Sequence, residues 1–302
     1  MVKRILDIRP HEFKDLTASD IVKSIKASEG RVMVSEVICP AMPMLYDVSN
    51  AELAASLGAD IILLNVYDVN KPHILGFNPI ENLSVVNSLK ERIGRIIGIN
   101  LEPIGNVKLM ETQDIIDNGR TATKENALKA YEQGVQMIVL TGNPKTGVSN
   151  EAITNSLKEI RSVLGDKIVL VAGKMHSSGT YSESSADIID EETIKSFLSA
   201  GANIILIPAP GTVPGITLEF VKQMTDLVHK NGGLVFTTIG TSQEGADKET
   251  IKQIALMAKM AGADLHHIGD TGYFGMAVPE NIFTYSVTIR GIRHTYRRMA
   301  MK

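Results

Sequence analysis

Four stretches decide the fold: GADIILLN (Gly58–Asn65), GVQMIVLTG (Gly134–Gly142), GANIILIPAP (Gly201–Pro210) and GADLHHIG (Gly262–Gly269). Each opens on a glycine that stops a helix and runs at once into a short, largely β-branched apolar segment. Between them lie four more such runs: RVMVSEVI from Arg31, RIIGINLE from Arg95, KIVLVAGK from Lys167 and GLVFTTIG from Gly233. Eight strands are therefore expected, beginning near 31, 60, 95, 136, 167, 203, 234 and 264. Spacings of about 30 to 40 residues leave room for one helix and two loops between strands. Helical patterns fill several of those gaps, at Ser49–Leu57, Thr123–Gln133, Glu191–Ala200, Thr217–Lys230, Lys248–Met260 and Glu280–Met299. A further helix, about Ser19–Ser28, precedes the first strand. Strict alternation, eight times over, predicts a parallel (β/α)8 TIM barrel with an extra N-terminal helix. Residues 1–302 read as a single TIM-barrel domain, with 1–30 as an N-terminal extension and 31–302 as the barrel. An open doubly wound sheet is the alternative, but it would carry a glycine fingerprint after its first strand, and neither GxGxxG nor GxxxxGK[ST] occurs.

Composition narrows the function. The chain has 302 residues, 44% of them hydrophobic, and a formal charge of −3. That charge argues against a nucleic-acid partner recruited by gross positive potential. Trp is absent and aromatics make up 5% of residues, which argues against a stacking platform for single strands. One cysteine, Cys39, excludes a disulfide framework and a thiolate zinc cluster. Neither a secretory leader nor a membrane-length apolar run is present, so a cytoplasmic protein with no membrane partner is expected. A homo-oligomer is compatible with the barrel class.

The loops are asymmetric. Helix-to-strand connections are minimal (LGAD, RIGR, LGDK, KNGG), whereas Tyr67–Pro79, Pro103–Arg120 and Gly173–Asp187 are long strand-to-helix connections. In a barrel the latter lie at the C-terminal mouth, where active sites are built. Alternation along strands places Asn65 with Leu63, Asn100 and Glu102 with Gly98, Thr141 and Asn143 with Val139, and Lys174 with Ala172 and Leu170. Polar groups from four successive strands are thus expected to converge inside the mouth, where they either close the barrel top among themselves or serve a ligand.

The densest motif is AGKMHSSG, Ala172–Gly179. Lys174 ends an apolar strand, and burial there lowers an amine's pKa. It can form a Schiff base with a carbonyl, hold an anion while His176 moves protons, or pair with Glu102. An ion pair with Glu102, making Lys174 a fixed anchor, is the expectation. Glycine loops after strands seven and eight suggest a phosphate cradle on backbone N–H groups, with Gly240, Ser242, Gln243, Gly269, Asp270 and Gly272 against the substrate. Only one of His266 and His267 can face inward. The proline-rich Pro208–Gly215 is expected to wall the pocket, and Cys39 to be a buried hydrophobe rather than a nucleophile. No dedicated metal set is apparent and no cofactor is required, although Asp68 and Glu102 together can in principle share Mg²⁺. The C-terminal helix, with Arg290, Arg293, Arg297 and Arg298, is expected to complement its own dipole in solvent.

The run from Cys39 to Asn65, with YDVSNAELAASLGADIILLN, resembles the opening of the phosphoenolpyruvate phosphonomutase and isocitrate lyase superfamily. GINLEP, TGNPKTGV, AGKMH, PAPGTVPGIT, SQEGAD, HHIGD and RGIRHTYRRMA make the whole chain similar to a bacterial barrel family labelled phosphonomutase-like. The superfamily resemblance implies carbon–carbon or carbon–phosphorus bond chemistry beside a carboxylate, with Mg²⁺ on acidic residues. The acid-rich metal motif after the third strand is replaced here by NLEPIGN, which offers only Glu102, and the lyase nucleophile motif is echoed without its cysteine by Gly173–His176. The combined expectation is a lyase or isomerase acting on a small anionic metabolite, a phosphorylated compound or a 2-oxo acid. Lys174, His176 and Glu102 would be catalytic, with Asn65, Asn100, Thr141 and Asn143 orienting substrate. The rival is a non-catalytic metabolite-sensing or assembly barrel.

Overall fold

The computed structural model describes residues 2–104, 116–178, 180–272 and 274–301. Eight parallel strands close into a barrel in sequence order: β1 Val32–Ile38, β2 Ile61–Asn65, β3 Ile96–Leu101, β4 Met137–Leu140, β5 Val169–Gly173, β6 Ile204–Pro208, β7 Leu234–Ile239 and β8 Leu265–Ile268. Every start falls within two residues of the expected one. The last strand pairs with the first, Val34 opposite His267, so no edge is left open.

The helices are α1 Ala18–Ala27, α2 Asn50–Ser56, α3 Val85–Ile93, α4 Lys124–Glu132, α5 Asn150–Leu164, α6 Glu191–Ser199, α7 Leu218–Lys230, α8 Lys248–Met260 and α9 Pro279–Ala300. From α1 to α8 each begins after a Ser, Thr or Asp whose side chain accepts a backbone N–H of the first turn. Proline opens α9 instead. That helix kinks at Gly291, whose φ of 76° suits a residue without Cβ.

Two apolar cores are separated by the sheet. Outside it, residues such as Ile97, Ile99, Leu170 and Ala172 meet the helices. Inside it, Leu63, Val139, Val169, Val171 and Phe236 form one core with Ile5, Ile8, Phe13, Ile21 and Ile25. The N-terminal segment and α1 therefore plug the bottom of the barrel.

The C-terminal helix departs from expectation. Arg290 and Arg298 are buried, not solvated, and both pair with the buried Asp60, at 2.5 and 2.8 Å. Arg297 reaches Asp7 at 2.7 Å. These arginines tie α9 to the barrel bottom because Asp60 sits in the tight turn entering β2, where its carboxylate also accepts the N–H of Met33. Among the described residues, no helix is long and apolar enough to cross a membrane.

Candidate active site at the barrel mouth

At the C-terminal ends of the strands the interior turns from apolar to polar, enclosing a cavity of about 320 Å³. Asn65, Asn100, Thr141, Asn143, His176, Gly240, Ser242, Gly269, Asp270 and Gly272 all line it, as strand alternation and the loop reading expected. Glu36, Met175 and Glu244 line it too, and were not singled out.

Glu36 organises one side. It lies on β1 in phase with Val32 and Val34, so it faces inward. Its Oε1 accepts from Asn65 Nδ2 at 2.6 Å, and its Oε2 accepts from His267 Nε2 at 2.8 Å. His267 is thus the inward histidine of β8, set edge-on to Phe236 with centroids 5.6 Å apart. His266 faces the helices, bonded to the Gly30 carbonyl at 3.1 Å, and burial drives its pKa down to about 3.

Asp270, on the loop after β8, is pushed up to about 7 by burial, then by the charge of Glu36, with Glu244 adding to it. Burial also raises Glu244. Near pH 7 Asp270 is therefore divided between its protonated and ionised forms.

His176 is held in one tautomer. Its Nδ1 accepts the N–H of Ser178 at 3.1 Å, so the ring hydrogen resides on Nε2. Burial lowers its pKa and keeps it neutral, a hydrogen-bond donor at the cavity wall. Asn65 and Asn143 exchange amide hydrogen bonds at 3.0 and 3.1 Å, fixing both carboxamides.

Three expected site residues stand elsewhere. Lys174 follows Leu170 and Ala172 to the outer face of β5, because Val169 and Val171 are the inward residues. Its ammonium pairs with Glu183, not Glu102, and Glu183 also accepts the N–H of Asn150 at 3.0 Å. Burial lowers the Lys174 pKa and the Glu183 pairing opposes this, so Lys174 is an anchor, but a structural one beyond the cavity wall. Glu102 accepts from Arg120 and, at 2.7 Å, from Asn143 Nδ2. It braces the wall from behind. Gln243 is bonded to Thr241 Oγ1 at 2.6 Å and does not reach the cavity.

Two of the N–H groups expected to cradle a phosphate are already bonded within the loops. The N–H of Gly269 is spent on the Ile239 carbonyl at 2.9 Å, and that of Gly272 on Asp270 Oδ1 at 2.8 Å. Three carboxylates line the same space and oppose a phosphate dianion or the carboxylate of a 2-oxo acid. The proline-rich 208–215 loop stands behind that lining, with the Thr212 carbonyl holding Thr241 Oγ1 at 2.6 Å. Mg²⁺ fits poorly: Asp68 Oδ1 caps the N–H groups of Asn70 and Lys71, and Glu102 already faces a guanidinium. Among the described residues no group of three or more His, Cys, Asp or Glu is arranged to hold a metal ion. Cys39 is buried and its thiol is pushed up by burial, as expected of a packing residue rather than a nucleophile.

A family model described as a domain of unknown function, DUF7916, matches residues 6–302. The chain belongs to the DUF7916 family. No curated protein matches this DUF7916 member. Among solved structures it is similar to thiamine phosphate pyrophosphorylase from Pyrococcus furiosus, with 11% identity, a TM-score of 0.46, and 87% of this chain and 98% of that one covered. It is also similar to the Amycolatopsis orientalis BexX/CysO complex, with 13% identity, a TM-score of 0.47, and coverage of 86% and 88%.

Proposed function

We propose that the mouth of this barrel is the active site of a proton-transferring lyase or isomerase acting on a small polar carbonyl compound. The observation that carries this reading is the Asp270 carboxyl, held up to about 7 beside Glu36 in a cavity large enough for a metabolite. A general acid–base group is most effective when its pKa lies near the working pH. The phosphonomutase-like resemblance points to the same broad class, bond rearrangement beside a carbonyl or carboxylate, without bringing its metal set.

In this mechanism the Asp270 carboxylate takes a proton from the carbon next to the substrate carbonyl. The electron pair of that C–H bond moves into a C=C bond, and the carbonyl oxygen gains negative charge. The Nε2–H of neutral His176 donates to that oxygen, a placement supported by its fixed tautomer. In an isomerase acting on an α-hydroxy carbonyl compound, Asp270 returns the proton to the former carbonyl carbon while the α-hydroxyl proton passes to the former carbonyl oxygen. In a lyase the C=O re-forms, the group on the β-carbon leaves with its bonding pair, and it takes the proton from Asp270. Glu36, tied by Asn65 and His267, supplies the fixed charge that keeps Asp270 basic.

Deuterium wash-in to a panel of small hydroxy- and amino-ketones, followed by proton NMR, tests this. Exchange should rise with pH around 7 and fall by about 100-fold or more in Asp270→Asn. Exchange that is indifferent to Asp270→Asn would overturn the assignment. Ligand binding with no exchange in any compound would return the chain to the metabolite-sensing class.

A further inference from the structure

Resting on that reading for its place in the reaction, we infer that the mouth cavity binds a primary ammonium group, with Glu244 as its counter-charge, so that the substrate is a small hydroxylated amino ketone or an amino sugar. Glu36, Glu244 and Asp270 all line the cavity, and no Lys or Arg is among the described residues that do. A cluster of acids alone would mean little. Here, however, three lining side chains are almost fully buried and end in a polar atom without a partner: Glu244 Oε2, Asn100 Oδ1 and Thr141 Oγ1, in residues 5%, 4% and 3% exposed. Burying such atoms unmet is costly, and a carboxylate oxygen is the costliest of them.

The chemistry of the missing partner follows from what each atom can accept. A primary ammonium carries three N–H donors, no acceptor and a positive charge. It satisfies Glu244 Oε2 and relieves repulsion among the three acids. A divalent metal would also relieve it, but these groups are not arranged as a ligand set among the described residues. An anion would worsen it. Glu244 is also a prepared partner, because its 3-10 turn, Gln243–Gly245, is pinned to α9 by Asn281 Nδ2, which donates to the carbonyls of Glu244 and Ala246 at 2.9 and 2.8 Å. Asn100 and Thr141 belong to the β3 and β4 ends, across the ring from the loop after β7. They suit hydroxyl groups at the other end of the same molecule.

A charge series of equal size tests this: ethanolamine, ethylene glycol and glycolate. Met175 lines the cavity and gives a methyl reporter, assigned with Met175→Leu in protein labelled at methionine methyls with ¹³C. Ethanolamine should shift that resonance saturably, at least about tenfold tighter than ethylene glycol, with glycolate inert. In Glu244→Gln the preference for ethanolamine over ethylene glycol should vanish. Glycolate binding tighter than ethanolamine, no saturable response to ethanolamine, or a preference that survives in Glu244→Gln would each overturn the inference. The wild-type series decides even if the variant does not fold. Because the titration reads binding alone, saturable ethanolamine binding with no hydrogen exchange in the hydroxy- and amino-ketone panel would retain the ammonium site and remove the proton chemistry. Exchange without charge preference would do the reverse.

Discussion

Asp270 shows how one side chain converts burial into pH dependence. Its carboxyl sits near 7 instead of 3.8 because burial and two neighbouring acids disfavour the charged form. The folded state therefore binds this proton more tightly than the unfolded chain does. The associated stability is fully present below about pH 4 and is lost as pH rises through 7. Asp270→Asn removes that loss, so its advantage over wild type should be near zero at pH 4 and reach roughly 1 kcal/mol at pH 8, after discounting for partial exposure. Urea midpoints at the two pH values check this; an advantage that does not grow with pH would mean Asp270 does not titrate there. At this scale the sequence was only partly legible. Alternation found Asn65, Asn100, Thr141 and Asn143 because each continues a strand of known phase. The same rule misplaced Lys174, since β5 is apolar on both faces and its pattern does not tell inside from outside. Glu36 was readable as the one charge within β1, Val32–Ile38, in phase with Val32 and Val34. Glu244 was not, because its place depends on a turn pinned by a helix 37 residues further on.

The junction of β5, the loop after it and α5 is held by elements rather than by packing alone. Lys174 is 2% exposed, pairs with Glu183, and through it reaches the first N–H of α5 at Asn150. Lys174→Met preserves the stem but leaves Glu183 without its cation. Because Glu183 retains some access to water, the cost should be about 1–3 kcal/mol in urea unfolding rather than that of a fully stranded charge. Hydrogen exchange at the mouth should fall by no more than the loosening of the His176 loop allows, well short of the Asp270→Asn effect. Borohydride with any carbonyl compound should leave no adduct on Lys174. A stable adduct would restore the Schiff-base role. Element boundaries were mostly legible from their caps. The same signal, Ser84 and Ser149, marks α3 and α5, whose apolar spacing is at least as regular as that of α4 and α8, so both were legible and were passed over.

Across the whole molecule, the two ends of the barrel are built differently, apolar at the plugged bottom and polar at the mouth. Repetition of one glycine-to-strand step made the eightfold architecture readable, because each repeat faces the same geometric task. The plug at the bottom was legible only as an extra helix; which apolar residues enter the barrel depends on contacts with all eight strands. Phe13 is the test of that division. It is buried in the interior core with Ile21 and Ile25, and the Arg298 guanidinium lies over its ring at 5.2 Å from the centroid. Phe13→Ala removes a buried ring and uncovers a cation that Asp60 then holds without a roof, so a loss of about 3–5 kcal/mol is expected. The polar groups at the mouth lie beyond the apolar layers of the interior. The pH at which Asp270 titrates, read by the Met175 methyl resonance, should therefore stay at its wild-type value in Phe13→Ala while the urea midpoint drops. A shifted titration would mean that the plug and the mouth are mechanically coupled through the core, and that stability and chemistry are not divided between the two ends of this barrel.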